Sequence, residues 1–470
     1  MATEVCSMTK DTITIDGTTY DVSDFKHPGG NIINFVKNTP DSTDIFREFH
    51  SRSTKANQLL KSLPVVPSSE HEHIENDNDV SRLTQRQQEM TADFREMRAT
   101  MVAQGLFEPD YIHVYFRLLE IAFYFSMGAW LASYNIYASI LSFIAYKTRC
   151  GWAMHECGHL SFTGIRYVDR AIQIFVMGFG GNASSSVWNS MHQKHHAAPQ
   201  KIKHDIDLDT TPLVAFFDRA FEENTNGKIV ARFMSRIWMR FQAWTFLPIV
   251  NGIIVHLFWV YYLHPKKVIR RLYEDKKSRG WAIYEIACML ASHIVIPYIF
   301  YTAENSRRQV LWSYFLLMII NFWGFVILFG HFSLSHSFTK VIPENKHLLW
   351  FEYAINHTVN ISTKSALITW IMGYLNFQIE HHLFPSMPQY KNALAAPHVR
   401  RFCEKWSGPA ADADTNTNPD ADTDTDVVYL KYIEYSYLTA WKLMLSNLNK
   451  VGKHYYENGI SPSSPKRKDD

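Results

Sequence analysis

Little in this chain favours a secreted or a nucleic-acid-binding protein. Cysteine is scarce: Cys6, Cys150, Cys157, Cys288 and Cys403 are scattered through 470 residues without framework spacing. That excludes a disulfide scaffold, and the five read as reduced thiols. Net charge is nearly absent, at +2 from 47 basic and 45 acidic residues, so no basic field marks a nucleic-acid partner. The N-terminus lacks the charged-then-apolar pattern of a secretory leader. Membrane insertion then falls to internal spans and leaves the front of the chain in the cytosol. Charged residues are missing altogether from Ile121 to Tyr146. The wider stretch 112–154 accommodates two spans of about 20 residues each, with a hairpin near 133–135. Aromatics at 14%, with 13 Trp, suit rings at membrane interfaces.

Against these absences stand three histidine clusters: His155-Glu-Cys-Gly-His159, His192-Gln-Lys-His195-His196 and Gln378-Ile-Glu-His381-His382. Residues three or four apart share a helix face, so each cluster points two or three imidazoles one way. Neutral imidazole ligates iron, zinc and copper. One such pair is as readily a polar helix face. Three beside apolar runs point to metal, because unpaired imidazoles near a membrane are costly. Seven histidines and a glutamine exceed the needs of one tetrahedral zinc and suit two metals. The first cluster alone also matches H-E-x-x-H, the zinc-protease pattern with glutamate as general base. The other two argue against it, since a protease requires one further ligand.

Together the three boxes resemble the membrane fatty-acid desaturases. The glutamine opening box three marks the front-end subgroup, which desaturates between an existing double bond and the carboxyl end. The words Trp188-Asn-Ser-Met-His192 and Leu375-Asn-Phe-Gln-Ile-Glu-His-His-Leu-Phe-Pro385 fit as well. The resemblance implies His155, His159, His192, His195, His196, His381 and His382 as ligands of two non-haem irons. It adds one histidine at the end of the last span, His336, with His331 the second choice. Gln378 is implied as a weak ligand or as a residue that positions one. The carboxylates of His204-Asp-Ile-Asp-Leu-Asp209 either support ligand imidazoles or cap a surface helix.

Ile13 to Val22 alternates around Asp16-Gly17, a hairpin signal. Asp24-Phe-Lys-His27-Pro-Gly-Gly30 follows, and His50 ends Phe46-Arg-Glu-Phe-His50. This segment is similar to cytochrome b5, which implies a b-type haem clamped by His27 and His50.

Three apolar runs precede box three: 241–263, 281–301 and 310–331. If all crossed, box three would lie on the opposite side from boxes one and two. The loop 264–280 is basic, with Lys266, Lys267, Arg270, Arg271, Lys276, Lys277 and Arg279, and so belongs in the cytosol. The run 241–263, with basic flanks and internal Pro248, Asn251 and Gly252, is therefore placed at the interface.

The expected fold is a mostly α integral membrane protein. It has four transmembrane helices (about 112–132, 134–154, 281–301 and 310–331), a cytosolic helical cap holding a di-iron site, and a small N-terminal α+β cytochrome b5-like domain. Its divisions are the haem domain 1–67, a polar linker and membrane-surface amphipathic helix 68–110, and the desaturase domain 111–406. A disordered acidic linker 407–426 and a cytosolic tail 427–470 follow. Lys466-Arg-Lys468-Asp-Asp470 matches a loose signal for retrieval to the endoplasmic reticulum.

An unactivated methylene C–H is beyond side-chain acid–base chemistry and requires a metal-bound oxidant. The resemblance implies an acyl-CoA or phospholipid-bound polyunsaturated chain as substrate and an NADH-dependent cytochrome b5 reductase upstream. It fits algal and thraustochytrid Δ5 and Δ6 enzymes without separating them. The alternatives are a sphingolipid Δ8 desaturase, a di-iron acyl hydroxylase, a membrane zinc metalloprotease and a non-catalytic haem-binding membrane protein.

Overall fold

In a computed structural model, the structure describes residues 10–67, 83–217 (apart from 203, 209, 211 and 212), 237–303, 309–408 (apart from 344, 345 and 347) and 429–458. His71 and His73, Asp209, nearly all of the acidic linker and the C-terminal lysines lie outside the described residues.

The N-terminal unit opens with the expected hairpin, Thr12–Ile15 against Thr18–Asp21, with Ile13 opposite Tyr20. Asp16 and Gly17 make the turn at φ of 52° and 73°, the pair of positive angles that a two-residue hairpin of matching twist needs. Ile13, Ile15 and Val22 form the core beneath it, packed on Phe25, Ile33, Phe46 and Leu60. Helices Thr43–His50 and Thr54–Lys61 close the unit.

A helix, Gln85–Ala103, follows, started by a reciprocal Thr84–Gln87 capping box. It was expected on the membrane surface, and the structure corrects this. Met90, Phe94 and Met101 are buried among Phe351, Phe384 and Phe402. Its other side carries Arg95, paired with Asp41 at 2.6 Å and Asp44 at 3.0 Å, and Arg98, paired with Glu48. The helix is a spacer that ties the N-terminal unit to the rest. Apolar spacing says that a face is covered; it does not say by what.

Helices Tyr111–Leu131 and Ile136–Gly158 cover the residues of the first expected pair of spans and pack along each other, but neither is among the helices apolar enough by composition to cross a membrane. Their charges find partners within the protein, as low-dielectric surroundings require. Glu120 accepts from Arg117 at 2.8 Å and from the Trp370 indole at 2.8 Å. Lys147 donates to Gly180 O and Asn182 Oδ1, both at 2.9 Å.

Among the described residues, three helices are long and apolar enough to cross a membrane, by length and composition: Gln242–Glu274, Arg279–Thr302 and Val310–Ser333. The last two match the expected third and fourth spans. The run 241–263, expected at the interface, is the front of the 33-residue first helix. Both ends of that run are hydrogen-bonded to other elements of the fold. Gln242 donates to Ala215 O (3.0 Å) and Leu448 O (2.7 Å), and His264 Nδ1 accepts from the Ser184 amide at 2.8 Å.

The C-terminal segment is more than a tail. Glu434–Tyr435 pairs in parallel with Asn360–Ile361. Helix Tyr437–Asn458 buries Ala440, Met444 and Leu448 against Val250, Leu334 and Met372.

Candidate metal centre

Each box sits where a helix ends. His155 lies in the last turn of Ile136–Gly158, and His159 is its C-cap. Box two occupies the second half of Ser185–Ala197, whose start is fixed by Ser184 accepting from the Val187 amide. Box three rides on the short helix Gln378–Leu383, which Pro385 cannot extend. These ends converge. His155, His159, His192, His196 and His381 bring one ring nitrogen each within 4.8 Å of one another; His195, His336 and His382 form a second group by the same measure. All eight expected imidazoles are thus divided five and three. The two groups adjoin, with the His196 and His382 rings stacked at 4.4 Å.

The nitrogens are set for ions. The Nε2 atoms of His159 and His192, His192 and His196, and His196 and His381 stand 3.1, 3.0 and 3.1 Å apart. Two ligands bound to one ion at about 2 Å each stand roughly 3 Å apart. His155 Nε2 and both nitrogens of His382 are buried with no hydrogen-bond partner, a cost that an ion at those positions removes. Burial, reinforced by neighbouring imidazoles, holds His196, His381 and His382 well below the ordinary histidine range and His159 down to about 3. Neutral rings keep the lone pairs that ligation needs.

Supporting groups surround the rings. His195 Nδ1 donates to Asp205 Oδ1 at 2.9 Å, leaving Nε2 for an ion. Burial disfavours the charged form of His195, yet Asp205 and Asp207 outweigh it and raise the ring to about 9, so an ion bound at Nε2 must displace a proton there. Trp188 stacks on His192 at 4.2 Å. Gln389 lies 2.6 Å from His155 Nδ1 through its side-chain amide. No motif marks Gln389; only the turn after Pro385 brings it there. Glu380 accepts from Asn360 and Tyr432, each at 2.8 Å, which anchors box three from behind. Glu156, the would-be protease base, accepts instead from the Gln389 amide at 2.9 Å.

His331 is not part of either group. Its Nδ1 donates to Ile327 O at 2.7 Å and its Nε2 accepts from the Tyr437 hydroxyl at 2.9 Å. His357 is likewise engaged, donating to Lys340 O. A cavity of about 640 Å³ reaches the centre at His192, His195 and His336. Gln378 lines it beside them, and Val250, Phe325 and Phe329 continue its apolar wall.

His27 and His50 face each other with ring centres 6.0 Å apart. Two metal–nitrogen bonds of about 2 Å plus the ring radii fill that span. His50 stacks on Phe46 and donates from Nδ1 to Phe46 O at 3.0 Å, freeing Nε2. His27 Nδ1 instead accepts from the Gly29 amide at 3.0 Å, which puts the proton on Nε2. Ligation by His27 requires that contact to be released.

The fatty acid desaturase family model matches residues 121–411, which include all three boxes. The chain belongs to the fatty acid desaturase family. It is 37% identical to an acyl-lipid (8-3)-desaturase of Thraustochytrium sp, over 88% of this chain and 90% of that one. It is 38% identical to a second protein of that name from Rebecca salina, over 84% and 86%. A Delta(5) fatty acid desaturase of Caenorhabditis elegans, fat-4, is 28% identical over 83% and 89%. This desaturase is therefore an oxidoreductase of front-end type acting on acyl lipids.

Proposed function

We propose that this desaturase inserts a cis Δ5 double bond into a polyunsaturated chain carried on a lipid. The observation that carries the chemistry is the division of eight imidazoles, most of them buried, into two adjoining groups at the inner end of an apolar cavity. Position Δ5 rests on the name of the Caenorhabditis elegans relative, and the lipid-bound substrate on the names of the other two.

His155, His159, His192, His196 and His381 hold one iron, and His195, His336 and His382 the other. When bound, the irons use dioxygen to remove two hydrogens from unactivated methylenes. The overall balance is one dioxygen, two electrons and two protons in, and two waters out per double bond. The protein's part is placement. Asp205 and Gln389 fix the ring orientations of His195 and His155, the buried walls exclude water, and the cavity aligns the chain. Gln378 stands between the ligands and the chain and positions both.

His27 and His50 hold a b-type haem that receives electrons from an NADH-dependent cytochrome b5 reductase. The topology has four spans, with 242–263 kept on the histidine side by the basic residues that flank it. The N-terminus and the centre then face the cytosol, with the protein in the endoplasmic reticulum.

Yeast expressing the protein and fed separate polyunsaturated precursors tests the reading. Δ5 products in phospholipids are expected; Δ6 products would refute the regiochemistry, and hydroxylated chains the reaction. Zinc in place of iron in purified protein would restore the protease alternative.

A further inference from the structure

The cavity that reaches the metal centre also extends away from it, and two polar side chains line it there. Helices Ile136–Gly158 and Val310–Ser333 run side by side. The His155 and Phe332 rings meet at 5.6 Å, Gly151 abuts Leu328, and Gly324 abuts the stem of Lys147. Lys147 therefore lies two helical turns, about 12 Å, from the level of His155. A Cβ at position 324 would strike the Lys147 stem, so glycine there makes room for the lysine. Gly252 abuts Phe322 and Val326, which brings Asn251, on a third helix, to the same level. Lys147 and Asn251 are buried, at 2% and 4% exposure. Both line the cavity, and their neighbours Val250 and Phe325 give it an apolar wall.

Both side chains keep N–H groups in reserve. An ammonium carries three donors; Lys147 gives two, to Gly180 O and Asn182 Oδ1, each at 2.9 Å. Among the described residues no carboxylate pairs with it. Asn251 Nδ2 is buried with no hydrogen-bond partner. A buried donor without an acceptor is costly, so an occupant of the cavity is what can satisfy these two. At this depth the occupant is the hydrocarbon part of the acyl chain, because a polar head group belongs in water and the walls are apolar. A saturated chain offers the donors nothing. A carbon–carbon double bond offers its π electrons, a weak acceptor for N–H and for a cation.

We propose that Lys147 and Asn251 read a double bond already present in the substrate and so set the preference for an unsaturated chain. This rests on the polyunsaturated substrate of the reading above. The cavity then divides its work. The box histidines and Gln378 place the carbons to be desaturated, and the two N–H groups place the existing double bond, rejecting a chain that leaves them without an acceptor.

Yeast expressing the full-length protein is fed an equimolar pair of chains of equal length, one unsaturated beyond the site of reaction and one saturated there. The product ratio is read after correction for incorporation into phospholipid. The wild type should favour the unsaturated chain. Asn251→Leu and Lys147→Met, which keep volume and remove donors, should each lower that ratio about fivefold, and Asn251→Gln should recover part of it. Non-haem iron at the wild-type level reports that a variant is folded. Asn251→Leu, which breaks no hydrogen bond from Nδ2, carries the test should Lys147→Met fail to fold. An unchanged ratio in the folded variants overturns the proposal. So does an equal loss of product from both chains, which makes the two residues structural. A wild type with no preference between the chains overturns the polyunsaturated reading along with this one.

Discussion

His27 and His50 are half-buried, share one small unit, and each ring is oriented by a single backbone contact. The seven box histidines come from three separate helix ends; with His336, six of the eight rings are buried, and His195 and His155 are backed by a buried carboxylate and a buried amide. The difference fits the work proposed for each site. An electron carrier needs an accessible edge and ligands that tolerate adjustment. A centre that handles dioxygen beside an unactivated chain needs fixed rings and no stray water. The first can be built from a short local segment, whereas the second needs the whole desaturase domain around it.

The largest effects should separate the two sites cleanly. His381→Ala or His196→Ala should lose non-haem iron and product formation while the Soret band stays. His27→Ala should lose the Soret band and keep the non-haem iron. Iron per protein, the haem spectrum and product from the fed precursor are measured together, in a host lacking free cytochrome b5. Loss of both cofactors in His27→Ala would show that the sites are not independent.

Gln378→Ala comes next. It should cut turnover severely yet retain most of the iron, because the amide is at most one weak contact while it lines the cavity at the reacting end. Full activity in this variant removes the glutamine from the mechanism. Asp205→Asn keeps the shape and loses the charge behind His195, so iron retention against a chelator should fall about 10–100-fold. A wild-type chelation curve would make Asp205 merely structural. Gly29→Ala probes the looser site: its added Cβ would meet His27 Cε1 at 2.8 Å. Haem affinity should drop modestly, with non-haem iron untouched. His331→Gln is expected to change least, leaving iron content at the wild-type level. Iron loss there as large as in His336→Ala would reverse their assignment.

Much of the centre was legible because ligand spacing is local. Residues three and four apart on a helix end share a face whatever the helix packs on, so the seven box histidines stand out from spacing alone, whereas His27 and His50, 23 residues apart, rest on the resemblance to cytochrome b5. The hairpin at Asp16-Gly17 and the long apolar helices are local in the same sense. Partnership between distant segments is not. His331 and His336 sit on the same stretch, and only the position of Tyr437, 106 residues further on, shows that the first is engaged elsewhere. Gln389 carries no motif, and Asp205 was indistinguishable from a helix cap until His195 was placed beside it. The helix at 85–103 displays an apolar face that fits a membrane or a protein equally well; Phe351, Phe384 and Phe402 decided for protein. The sequence by itself determined which box side chains could gather as metal ligands and which segments are helical, since both depend on neighbours within a turn or two. The five-and-three division, the supports behind the rings and the meeting of Lys147 and Asn251 at one depth belong to tertiary structure alone, since each joins groups that chain order leaves far apart.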